Sequence, residues 1–298
     1  MCGIVGLFIK DPSLQPSLGT LLTEMLITMS DRGPDSAGIA IYGQGDNDTG
    51  KITLQSQTPE ADFPGLAERI TETLGIAASF AVNDTHAVLS VPAEKIHTVR
   101  EALTTICPSI RVMSSGNSIE IYKEVGMPVD VANRFSLSAM TGTHGIGHTR
   151  MATESAVTTM GAHPYSTGAD QCLVHNGSLS NHNSLRRKLV RAGVNIETDN
   201  DSEVAAAYLT NKMELGASLG DALENALDDL DGFYTFVVGT RDGFAVLRDP
   251  IACKPAVMAE TDQYVAFGSE YRALVDLPEI DTARVWEPEP ATVYFWKH

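Results

Sequence analysis

A cysteine stands second in the chain, in Met1-Cys2-Gly3-Ile4-Val5-Gly6, and a methionine ahead of so small a side chain is normally removed. The mature first residue would then carry a thiol nucleophile and a free α-amine together. An amine with a reference pKa of about 8 can relay the thiol proton through one water, as in N-terminal threonine nucleophiles. Position alone more often marks an inert small hydrophobe, so other residues must supply the rest of the chemistry. Attack on an amide needs donors for the tetrahedral oxyanion and charged groups that hold the substrate. His175-Asn176-Gly177 offers a side-chain amide beside a flexible glycine N–H. Arg150, closing Gly147-His148-Thr149-Arg150, has the fork that clamps a carboxylate bidentately. Thr198-Asp199-Asn200-Asp201-Ser202-Glu203 offers carboxylates ahead of a helix, though alone it reads as a capping motif.

The elements that must position these residues are legible from periodicity. Residues 3–9 read as a buried strand, and Leu18, Leu21, Leu22, Met25, Leu26 and Met29 recur at helical spacing. That helix ends at the breaker Asp31-Arg32-Gly33-Pro34-Asp35, followed by strands at 37–42 and 51–57. From about 59 to 127 the pattern becomes a compact set of elements. It has helices near 63–74 and 96–106, a strand at 86–91, and strands at 110–114 and 119–123 flanking a hairpin turn at Ser115-Gly116-Asn117. This stretch reads as a packing or interface module inserted in a larger fold. The main unit resumes with strands at 145–149 and 171–175, then a helix capped by Ser180 and carrying Leu185 and Leu189. Helices near 202–214 and 219–230 precede strands at 234–239, 243–247, 264–267 and 292–296. Strands in tight succession with grouped helices predict a layered α+β fold.

Composition narrows the function. Against 21 basic residues stand 38 acidic ones, a net charge of -17 that repels nucleic acid and anionic lipid. Leu7-Phe8-Ile9 runs directly into Lys10-Asp11-Pro12, too short for a signal peptide or membrane span, so the expected location is cytoplasmic. Cys2, Cys107, Cys172 and Cys253 form no C-x-x-C pair, and no disulfides are expected. His144, His148, His163 and His175 invite a metal reading. It is rejected because Gly145 and Gly147 disfavour the helix that would align the first two, and no carboxylate completes the set.

Taken together and in order, the motifs resemble one family. Cys2-Gly3-Ile4, Arg32-Gly33-Pro34-Asp35, Gly147 through Thr153, Ala162-His163-Pro164, His175-Asn176-Gly177 and Asp201-Ser202-Glu203 look like the class II glutamine amidotransferases, which are N-terminal nucleophile hydrolases. Asp231-Gly232-Phe233-Tyr234, Arg248-Asp249-Pro250 with Lys254-Pro255, and Ser269-Glu270 match as well. The resemblance implies a four-layer αββα sandwich over residues 2–57 and 128–298, with a small α/β subdomain inserted at 58–127. It implies Cys2 as nucleophile with its α-amine as base, and Asn176 and Gly177 as the oxyanion hole. Arg150 would bind the α-carboxylate of L-glutamine and Asp201 its α-ammonium, while Arg32 would order the nucleophile loop. Thr153 would lie in the substrate pocket, and His163 in it or in the loop that covers it.

The implied half-reaction requires no metal and no organic cofactor. No P-loop, Rossmann glycine pattern or pyrophosphatase loop is visible that would consume ammonia. The arrangement most resembles the stand-alone amidotransferase subunit of N-methylglutamate synthase and the GlxB proteins. That implies a hetero-oligomer with glutamate synthase-like subunits, with FMN on the partner. Two other readings stand beside it: a self-sufficient amidohydrolase of γ-glutamyl amides, and a catalytically silent assembly scaffold.

Overall fold

The computed structural model describes residues 2–152 and 156–298. In chain order the elements begin with strand β1 (Gly3–Ile9), helix α1 (Leu18–Thr28), β2 (Ser36–Tyr42) and β3 (Thr49–Gln55). Next come α2 (Pro59–Asp62), α3 (Leu66–Leu74), β4 (Ser79–Asn83), β5 (His86–Pro92), α4 (Ile96–Ile106), β6 (Arg111–Gly116) and β7 (Ile119–Val125). Then follow α5 (Pro128–Arg134), β8 (His144–Arg150), β9 (Cys172–Leu179), α6 (His182–Arg191), α7 (Asp201–Glu214) and α8 (Leu219–Asp229). The chain closes with β10 (Gly232–Thr240), β11 (Gly243–Arg248), β12 (Val257–Glu260), β13 (Tyr264–Gly268), β14 (Arg284–Trp286) and β15 (Val293–Lys297).

Two antiparallel sheets face each other: a seven-stranded one in the order β14-β12-β13-β1-β8-β2-β7, and a four-stranded one in the order β15-β11-β10-β9. Ile4, Phe8, Ile146, Val174, Val237 and Phe267 fill the space between them. On the outer face of the larger sheet, Leu22, Met25 and Leu26 of α1 pack on Val5, Leu7 and Ile39. On the outer face of the smaller one, α7 and α8 bring Val204, Leu209, Ala222 and Leu223 against Phe236, Val238 and Leu247. The layers are therefore α, β, β, α, as expected. Side chains alternate across a strand, so a strand covered on both faces must be apolar throughout, and this is why β1 reads Gly-Ile-Val-Gly-Leu-Phe-Ile.

A third sheet, β4-β5-β3-β6, carries its own core of Ile52, Leu54, Leu89, Val99 and Leu103 under α3 and α4. Sheet membership moves the expected boundaries of the insertion away from 58 and 127. β3, before residue 58, belongs to the inserted sheet, and β7, before residue 127, pairs with β2 at the edge of the main one. The expected hairpin between the strands around 112 and 121 is corrected for the same reason, since β6 and β7 lie in different sheets. The crossing between them is held by Asp170, whose carboxylate accepts from Asn117 N at 2.8 Å, Ser118 N at 2.8 Å and Ile119 N at 3.0 Å. Ser180 is not the cap of α6. The N-cap is Asn181, and the Ser180 hydroxyl instead donates to Asp231 Oδ2 at 2.7 Å. The short α5, β4, β12 and β14 escape sequence reading, because three to seven residues give too little periodicity. Among the described residues no helix is long and apolar enough to cross a membrane.

Candidate active site

Packing fixes the height of Cys2. Val5, Leu7 and Ile9 point into the core under α1 and Ile4 and Phe8 into the core between the sheets, none more than 2% exposed. Each such side chain contributes roughly 1.5–3 kcal/mol on burial, against about 1 kcal/mol net for one hydrogen bond. The apolar strand therefore holds the position, and polar ties set only the orientation of its first residues. Ser269 gives two such ties, its hydroxyl accepting from Ile4 N and its own N–H donating to Ile4 O, each at 2.9 Å. The Cys2 carbonyl accepts from Arg32 Nε at 2.9 Å and from Asn176 Nδ2 at 3.2 Å. Its thiol lies 4.0 Å from Met151 O.

Arg32 is itself buried and pairs with Glu270 at 2.5 Å, and Glu270 is shared with Arg272 at 2.7 Å. The hydrogen bond from Arg32, with the charge of Arg272 behind it, holds the Glu270 carboxyl below its ordinary range. Gly33 lets this turn lie against β8, since a Cβ there would stand 2.3 Å from the Thr149 carbonyl carbon. Asp35 then accepts from Ala152 N at 2.7 Å and fixes the chain just beyond Arg150.

Cys2 opens into a cavity of about 760 Å³ that also receives Arg150, Asn176, Gly177 and Asp201, with His163 on its wall. Arg150 ends β8 and is 6% exposed, with Nη1 donating to Ala156 O at 3.3 Å. Asn176 and Gly177 lie on β9 opposite Thr235 and Tyr234 of β10. No side chain fits at Gly177, where a Cβ would sit 2.0 Å from Phe233 O. Asp201 occupies the first turn of α7, accepts from Leu179 N at 2.9 Å, and faces the cavity from the positive end of that helix. The helix is capped by Asn200, which accepts from Ser202 N at 2.9 Å. Arg150 and Lys254 thus face Asp199 and Asp201 across one space, a charge pattern complementary to a zwitterion.

Burial favours the neutral form of the histidines at this wall. His175 Nδ1 lies 2.9 Å from Ser202 Oγ and 3.8 Å from Asp201; burial depresses its pKa while Asp201 pulls the other way. His148 donates Nε2–H to His175 O at 3.2 Å, and burial lowers it to about 3. The His163 ring stacks on His148 at 4.1 Å, also held far below its ordinary value by burial. Lys123 clamps the turn that carries it, donating to Ala162 O at 2.8 Å and Pro164 O at 3.2 Å. His144 and His148 lie on a strand rather than a helix, and His144 pairs with Thr240 O at 2.9 Å. Thr153 lies outside the described residues.

Of the expected residues, Cys2, Arg150, Asn176, Gly177, Asp201 and His163 line the cavity, and Arg32 stands behind Cys2. Sequence reading gave no role to Ser269, Glu270, Lys123, Phe233 or Lys254. The signal present was charge complementarity, Glu270 for the buried Arg32, hidden by 238 positions of separation.

Residues 148–276 match a family model described as a glutamine amidotransferase domain. Over 298 residues, all of this chain and 99% of the relative, the sequence is 66% identical to the glutamine amidotransferase-like protein GlxB of Rhizobium meliloti (strain 1021). It is 30% identical to the amidophosphoribosyltransferase of Methanocaldococcus jannaschii over 183 residues, 60% of this chain and 38% of that protein. Among solved structures, glutamine phosphoribosylpyrophosphate amidotransferase from B. subtilis, complexed with ADP and GMP, shares the fold with a TM-score of 0.64 at 19% identity. The match covers 99% of this chain and 47% of that one. Full-length kinship to GlxB and the shared αββα architecture lead to one conclusion: the chain belongs to the class II glutamine amidotransferases, enzymes of the N-terminal nucleophile fold.

Proposed function

We propose that Cys2 hydrolyses L-glutamine to glutamate and ammonia, and that the ammonia passes to a separate glutamate synthase-like subunit, as in an N-methylglutamate synthase. The observation that carries the first half is the meeting of Arg150 and Asp201 with Cys2 in one cavity. These groups match the α-carboxylate and α-ammonium of a free amino acid whose side chain then reaches the thiol. The α-amine of processed Cys2 takes the thiol proton, and sulfur attacks the side-chain amide carbon. The carbonyl electron pair moves onto oxygen, held by Gly177 N–H and by Asn176. Its amide has two donors, and the one on the Cys2 carbonyl leaves the other for the oxyanion. Collapse expels ammonia with the proton returned by the amine. Water, deprotonated by the same amine, then cleaves the γ-glutamyl thioester and releases glutamate.

Cys2→Ala tests this in a glutaminase assay of the purified chain. Wild-type turnover is expected, with the variant at background; equal rates would sink the reading. Mass spectrometry of the active preparation is expected to show Met1 removed, and an active form retaining Met1 would exclude the α-amine as base. The partner reading is supported by the full-length kinship to GlxB. Co-expression with a flavin-binding glutamate synthase-like protein is expected to give a complex with stimulated glutaminase activity. High activity indifferent to any partner would instead favour a self-sufficient hydrolase.

A further inference from the structure

Beside the substrate cavity lies a second one of about 270 Å³, at the junction of the inserted sheet and the main body. Arg100 of α4 enters it from the insertion, and Tyr165 and Glu197 enter from loops of the main body. Three further charged side chains line it: Glu214 is exposed to solvent, and the other two are already engaged. Glu203 accepts from Glu197 N at 2.8 Å and Thr198 N at 2.6 Å, and Lys123 is spent on the two carbonyls of the His163 turn.

Of the remaining groups, Glu197 is open to solvent, while Arg100 and Tyr165 are underused. The Arg100 guanidinium makes a hydrogen bond to Ser115 Oγ at 3.1 Å and forms no ion pair among the described residues. Burial lowers its pKa, and the charge of Glu197 acts in the opposite sense, so that carboxylate lies close enough to be felt without touching. Tyr165 is 5% exposed, and its hydroxyl makes no well-formed hydrogen bond among the described residues; the Thr198 side chain near it donates to Glu203 at 2.5 Å instead. Glu197 receives a long contact of 3.4 Å from the Asn195 amide. A buried hydroxyl and a half-buried guanidinium that lack strong partners both favour a ligand that supplies them.

We infer that this junction cavity binds a free α-amino acid, its carboxylate on Arg100 and the Tyr165 hydroxyl and its ammonium on Glu197. The volume lies just under the roughly 300 Å³ at which pockets for drug-sized ligands begin, which suits a small metabolite. The site repeats, from unrelated residues, the opposite-charge arrangement of Arg150 and Asp201. It also shares a wall with the substrate cavity, since Thr198 and Met160 line both. Glu203 ties residues 197 and 198 to the first turn of α7, two residues from Asp201.

Calorimetric titration of L-glutamate into the full chain tests the assignment. Two sites per chain are expected, reduced to one in Arg100→Gln and to a different one in Arg150→Gln. Tyr165→Phe, which keeps the ring packing, is expected to weaken the junction site about threefold to tenfold. Loss of binding in Arg150→Gln with Arg100→Gln and Tyr165→Phe unchanged would overturn the junction site and leave the glutamine-binding reading intact. Loss in Arg100→Gln with Arg150→Gln unchanged would do the reverse. Equal binding of succinate at the junction, which has no ammonium group, would overturn the amino-acid class.

Discussion

β1 and β4 are both antiparallel strands, placed in opposite circumstances. β1 runs down the middle of the seven-stranded sheet with every residue buried. β4 lies at the edge of the inserted sheet with none of its residues buried, and Val82 is 59% exposed. The strand that presents the nucleophile is thus locked between two cores, while the insertion exposes its outer edge and meets the body with His86 against Tyr122 and Phe135 and Asn83 donating to Phe135 O. A reaction that places sulfur against an amide carbon needs the first arrangement. The second tolerates change at its rim and concentrates its demands at the joint.

The sharpest way to break the comparison is Gly177→Ala, because backbone atoms of Phe233 and Tyr234 occupy the space of the new Cβ. Glutaminase activity should fall about 100-fold through loss of the oxyanion donor's position, and stability by about 3 kcal/mol; kinetics and urea melts would check both. At the joint, Asp170→Ala strands the N–H groups of Asn117, Ser118 and Ile119. A loss of about 2 kcal/mol is expected. Faster hydrogen exchange should be confined to the β6–β7 crossing, with activity near wild type. Exchange that spread to β1 would show the two regions to be one cooperative unit.

Glu270→Gln probes the polar support behind Cys2. With Glu270 partly exposed, the cost at pH 7 should be about 1 kcal/mol. The folded carboxyl titrates below its unfolded value, so its contribution is present above that value, about 4.3, and is lost as pH falls through the depressed one. The gap in melting temperature between wild type and variant should therefore close below pH 4.3 or so, and a gap independent of pH would remove the ion pair as its cause. Val82→Thr on the exposed edge should change stability by less than about 0.5 kcal/mol and leave activity untouched, as thermal melts and the same assay would show.

Much of this was legible before any coordinates. The continuous apolar run of β1, the heptad-like recurrence along α1, and the order of Cys2, Arg150, Asn176, Gly177 and Asp201 carry both the layered fold and the residues of the cavity. Errors fell where local sequence was ambiguous. Ser115-Gly116-Asn117 has the composition of a hairpin turn, yet Asp170, over fifty positions later, converts it into a crossing between sheets. Ser180 is a good cap by type, but Asp231 captures its hydroxyl. Lys123 looks like any strand lysine until β7 carries it under the His163 turn.

The sequence by itself determined the element types and the identity of the reactive groups, because periodicity and side-chain chemistry are local properties. Tertiary structure alone decided who supports whom. It brought Glu270 to Arg32 across 238 positions, moved β3 and β7 across the expected boundaries, and placed Arg100, Tyr165 and Glu197 around one small cavity. Those pairings depend on how sheets stack and chains cross, and a linear pattern of hydrophobic and polar residues does not encode the distance between positions that never neighbour each other.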